Sequence, residues 1–83
     1  MEFLYTARFL RSFKKLPPLI VDDCVRAVEL FKKGERKELK FHKLHGKLND
    51  LHSFSANFLY RIVVRVEKEA VYFMDVGSHT IYD

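Results

Sequence analysis

The sequence has one cysteine, no tryptophan, two prolines and three glycines in 83 residues. A lone cysteine excludes an intrachain disulfide and any cysteine-built metal site, and the place of Cys24 in an apolar helical pattern marks it as a buried structural thiol. Proline and glycine are too sparse for a linker, and no repeat or low-complexity segment occurs, so residues 1–83 read as a single domain. Eighteen consecutive apolar residues occur nowhere, and the start carries Glu2 and then Arg8 instead of a long apolar run. The expectation is a cytoplasmic protein without a membrane partner. Acidic side chains are in the minority, with 11 Asp and Glu against 15 Lys and Arg, which gives a net charge of +4.

What is present points to a packed core. The 48% hydrophobic and 14% aromatic content is too rich for a disordered chain. At this length folding hides only about 60% of the surface of the unfolded chain, so stability is modest and a partner would raise it. The cations are unevenly spread: Arg8, Arg11, Lys14, Lys15, Lys32, Lys33, Lys37, Lys40, Lys43 and Lys47 all lie in the first 47 residues. That distribution biases the chain toward polyanions.

Glu2 to Tyr5 suits a short first strand, after which Thr6 is placed to cap a helix from about Ala7 to Lys15. Phe9, Leu10, Phe13 and Leu16 form its apolar stripe, opposite Arg8, Arg11 and Lys15. Pro17 and Pro18 end it, since proline disfavours a helical residue before it. From Leu19, the positions Val21, Cys24, Val25, Val28 and Phe31 follow a helical period, closed by Lys32, Lys33 and Gly34. The two helices are expected to form an antiparallel hairpin. Extended patterns follow at Leu39–Leu44, Leu51–Ala56, Phe58–Val66 and Ala70–Val76, with Arg61 and Arg65 on the polar face of the third. The predicted fold class is therefore α+β: a short N-terminal strand, the hairpin, then a mainly antiparallel four-stranded sheet, helices on one face and function on the other.

The segments Lys43-Leu44-His45-Gly46, Leu48, His52 to Ser55 and Tyr60-Arg61-Ile62, with the tail Met74 to Tyr82, resemble RelE-type toxins of the RelE/ParE superfamily. Order and spacing carry this resemblance, which spans nearly the whole chain. It implies the toxin of a type II toxin–antitoxin system, a ribosome-dependent endoribonuclease silenced by a cognate antitoxin, with operator DNA met only through the antitoxin complex. The same superfamily holds ParE-type poisons of DNA gyrase, and fold alone does not choose between them. An inactive module that binds only antitoxin and operator is a third reading.

Metal-independent RNA cleavage needs groups to take a proton from the 2′-hydroxyl and to protonate the departing 5′-oxygen, and a fixed cation for the phosphate. Histidine suits proton transfer and arginine suits phosphate. By resemblance, Arg61 is the phosphate cation, His79 the leading proton-transfer group, His52 a helper of the nucleophile and Tyr82 a terminal aromatic that stacks on a base. Lys40, Lys43, His45, Lys47 and Arg65 complete a set of candidate RNA contacts, although His45 stands where the family's turn has arginine, and for each lysine and for Arg65 taken singly a solvated surface role is the more natural reading. The histidine-rich set is similar to the YafQ-like branch. His42 matches no family role, and the histidines lack helical metal-ligand spacing and grouped carboxylates, so neither metal nor cofactor is expected.

Overall fold

A computed structural model describes residues 1–46 and 50–78. Strand β1 (Glu2–Tyr5) leads into helices α1 (Ala7–Lys14) and α2 (Pro18–Lys32). A 3-10 turn (Lys37–Leu39) precedes β2 (His42–Lys43), β3 (His52–Ser55), β4 (Tyr60–Val66) and β5 (Ala70–Ser78). The sheet order is β1-β5-β4-β3-β2. All neighbours are antiparallel except β1, which joins β5 in parallel with Glu2 opposite Ala70 and Tyr5 opposite Phe73. The architecture is thus α+β as expected, with the first strand taken into a five-stranded mixed sheet.

Local chemistry accounts for the helix ends. Thr6 is extended, and its hydroxyl accepts from the Phe9 amide at 3.1 Å while donating to the Phe73 carbonyl at 2.8 Å. One side chain therefore starts α1 and ties it to β5. Pro18 occupies the first turn of α2, where its missing N–H costs nothing. Gly34, at φ +82°, takes the left-handed conformation that ends α2.

The core lies between the helices and one face of the sheet. Phe31 of α2 is fully buried, stacked on Phe54 at 4.6 Å and set edge-on to Phe73 at 6.0 Å. Phe9 of α1 meets the same Phe73 at 5.7 Å. Ile62, Val64, Val71 and Val76 fill the sheet side, and Cys24, Ala27 and Val28 the helix side. Burial pushes the Cys24 thiol up to about 11, with the Asp23 carboxylate adding to the effect, so the thiol stays protonated and inert.

The structure differs from the sequence expectation in four places. The stretch from Leu39 to Leu44 holds only the two-residue β2. Lys40 breaks it by adopting a left-handed conformation at φ 54°, with its carbonyl 2.7 Å from His42 Nδ1. Phe58 and Leu59 belong to the β3–β4 turn instead of β4. Leu10 and Val25 are half exposed, because the helices leave an apolar groove of about 250 Å3 between them and Tyr5. The sheet face away from the helices is partly occupied as well: Ser53 is fully buried and Val63 nearly so.

Candidate functional site

Register decides which candidates can act together. In β4 the side chains of Ile62 and Val64 enter the core, so Arg61, Val63 and Arg65 point to the other face. His52 pairs with Val64 and Ser55 with Arg61. His52 is therefore on the helix side of the sheet and Arg61 on the opposite side. A β-bulge at Met74, where Val63 faces Asp75 and Val64 faces Phe73, restores Val76 to the core after Phe73.

The His52 ring lies flat on Phe41, with centroids 4.9 Å apart and planes 7° apart. Phe41 in turn meets Phe31, and the Arg36 guanidinium sits over both rings, at 5.0 Å and 4.3 Å. His52 Nδ1 is buried and has no hydrogen-bond partner. Desolvation, followed by the nearby charges of Lys43, Arg36 and His42, holds the His52 pKa below its ordinary value. Both effects favour the neutral imidazole.

Arg61 is folded back along the β3–β4 turn. Its Nη1 donates to the carbonyls of Asn57 at 3.1 Å, Phe58 at 3.3 Å and Tyr60 at 3.3 Å. The turn is held from its other end by Asn57, whose Oδ1 accepts from the amides of Leu59 and Tyr60 and whose Nδ2 donates to Asp23 of α2 at 2.9 Å. Beside this turn a cleft of about 520 Å3 reaches to α2 and the 3-10 turn, and its charged lining comprises Arg26, Lys40, Arg61 and Glu38. Three cations against one carboxylate make it attractive to anions.

The remaining candidates are spread apart. Arg65 lies over the Tyr72 ring at 5.0 Å, and its Nε is 3.1 Å from Glu67 Oε2, an ion-pair separation without hydrogen-bond alignment. Lys43 is exposed on β2, directly across from His52, and His45 is exposed just before Gly46, which has a left-handed φ of +71°. Lys47, His79 and Tyr82 lie outside the described residues. Among the described residues, no group of three or more His, Cys, Asp or Glu is placed to hold a metal ion.

Sequence reasoning missed Arg26, Asn57 and Phe58 in this region, and Asp75 beside α1. Asp75 accepts from Ser12 Oγ at 2.5 Å and lies 3.2 Å from Arg8 Nε, which removes Arg8 from the free cations of α1. An Asn before two apolar residues and a strand is a turn indicator that an alternating pattern obscured at Asn57.

This arrangement of helices and sheet is that of RelE/ParE-superfamily toxins. YafQ from Escherichia coli BL21(DE3) superposes with a TM-score of 0.80 over 98% of this chain and 96% of its own, at 10% identity. A chain of the RelB–RelE antitoxin–toxin complex from Methanococcus jannaschii gives 0.77 over 96% and 95%, at 20% identity. A chain of the toxin–antitoxin complex RelBE2 from Mycobacterium tuberculosis gives 0.68 over 94% and 96%, at 26% identity. No family model and no curated protein matches by sequence. Among the described residues, no helix is long and apolar enough to cross a membrane.

Proposed function

We propose that the chain is the toxin of a type II toxin–antitoxin pair and cleaves messenger RNA on the ribosome, by metal-independent attack of the 2′-hydroxyl on the neighbouring phosphate. The observation that carries this reading is Arg61, a fixed guanidinium at a cation-rich cleft. Among the described residues only its Nη1 is hydrogen-bonded, which leaves the rest of the planar fork for a phosphate. The surroundings of His52 favour its neutral form, but it stands across the sheet from Arg61, so the proposal gives proton transfer to His79 and base stacking to Tyr82. Lys40 and Lys43 steer the backbone. The partner is a cognate antitoxin, supported by the complexes from which the RelBE2 and RelB–RelE neighbours come, and operator DNA is reached only through it.

Poisoning of DNA gyrase is the second reading, favoured by the separation of His52 from Arg61. Induced expression followed by mapping of messenger RNA ends decides between them. New ends inside translated codons support the nuclease, with His79→Gln slowing single-turnover cleavage by roughly 100- to 10,000-fold. Intact RNA with gyrase-linked DNA breaks supports the poison. Unchanged growth with antitoxin binding retained leaves only a binding module.

A further inference from the structure

The β3–β4 turn presents Phe58 to solvent at 88% exposure and Leu59 at 53%. This is no floppy loop tip. Asn57 fastens the turn to Asp23 of α2, Arg61 binds its carbonyls, and the amides of Ala56 and Asn57 both donate to the Tyr60 carbonyl. A phenyl ring is therefore held in water on a fixed support, next to the cleft that carries Arg26, Lys40 and Arg61. The inner wall of that cleft includes the apolar side chains of Leu30, Leu39 and Ala56.

We infer that this cleft binds single-stranded RNA, with a base stacked on Phe58 and the flanking phosphates held by Arg26, Lys40 and Arg61. The inference rests on the reading of the chain as an RNA-directed toxin, and adds a binding site on the α2 side of Arg61. A nucleotide has a flat apolar face beside an obligatory negative charge, and the cleft offers the complement of each. Stacking needs only a π-face, which an exposed phenylalanine supplies to any base. The volume, about 520 Å3, is within the range of small-ligand sites.

The test is equilibrium binding of a short fluorescent 2′-O-methyl adenylate oligomer, which cannot undergo 2′-hydroxyl attack, so binding is read apart from cleavage. Phe58→Ala should melt like the wild type, because the ring is exposed, yet bind the oligomer about fivefold to a hundredfold more weakly. Phe58→Trp should bind at least as well as wild type. An abasic oligomer of equal length should bind wild type and Phe58→Ala alike, and Arg26→Gln should reduce the salt dependence by about one phosphate contact. Oligomer binding unchanged in Phe58→Ala overturns the site, whatever protein contact that variant loses. An equal loss for the abasic oligomer overturns the stacking assignment. Intact messenger RNA together with Phe58-dependent binding removes the cleavage reading and leaves the site standing, whereas wild-type binding and cleavage by Phe58→Ala does the reverse.

Discussion

Replacing Asn57 tests whether its side chain is the pin of the β3–β4 turn. Asn57→Ala removes three hydrogen bonds, two accepted from Leu59 and Tyr60 amides and one donated to Asp23. At about 0.5–1.5 kcal/mol net for each, and with water able to replace the exposed Leu59 contact, the loss should be about 2 kcal/mol. For a domain of this size that corresponds to a melting point lower by roughly 8–16 °C. Asn57→Asp separates the contributions. It keeps an acceptor for both amides but sets a second carboxylate against Asp23 in place of a donor at 2.9 Å. At an effective dielectric constant of about 20 the repulsion is about 6 kcal/mol at that separation, before the side chains move apart and salt screens them. Adding Asp23→Asn to Asn57→Asp returns the donor from the opposite partner, so the double variant should regain most of the stability. Urea unfolding of the wild type, Asn57→Asp, Asp23→Asn and the double variant gives the cycle, with Asn57→Ala measured beside it. Loss of less than about 0.5 kcal/mol in Asn57→Ala, with no recovery in the double variant, would refute the pin.

Phe31→Ala should cost about 3–5 kcal/mol. That is a large share of the roughly 4–12 kcal/mol expected of the whole domain, so denaturant titration should find it barely folded while Phe31→Leu stays cooperative. His52 should make stability depend on pH: its pKa is depressed in the folded state, so folding binds fewer protons and stability falls as pH drops through and below about 6.5. Melting from pH 7.5 to 5 should show a shallower decline in His52→Gln, and parallel curves would contradict the desolvation of the His52 ring against Phe41. Arg65→Ala should leave growth inhibition intact, because Arg65 is occupied by Glu67 and Tyr72, whereas Arg61→Ala should relieve it. Two folded variants that are equally harmless would remove the support for Arg61 as the phosphate contact.

Features carried by short-range chemistry were legible in the sequence. Thr6 marks a helix start by side-chain geometry that needs no tertiary partner, and the structure uses it in that way, whereas Pro18, read as part of the break after the first helix, opens α2. The alternation around Ile62 and Val64 gave the correct faces for Arg61 and Arg65, because a period of two fixes sidedness once one face is buried. Long-range choices were not legible. Nothing local indicates that Lys40 adopts φ 54°, or that Arg36 is drawn over the Phe31 and Phe41 rings. The pairing of His52 with Val64, which puts the ring on the helix side, depends on strand register. Leu10 and Val25 have the spacing of core residues but are half exposed, since amphipathicity does not say how closely two helices approach.

The parallel pairing of β1 with β5 governs when the sheet can close during synthesis. Thr6 reaches its partner carbonyl at Phe73 across 67 positions, and among the described residues β1 pairs with β5 alone. At roughly 5–20 residues per second, about 3–13 s separate the synthesis of those two residues. Until then β1 lacks the strand it pairs with, and Phe9 of α1 lacks the Phe73 ring it meets. A translation product that stops before Ala70 consequently lacks the strand on which β1 pairs.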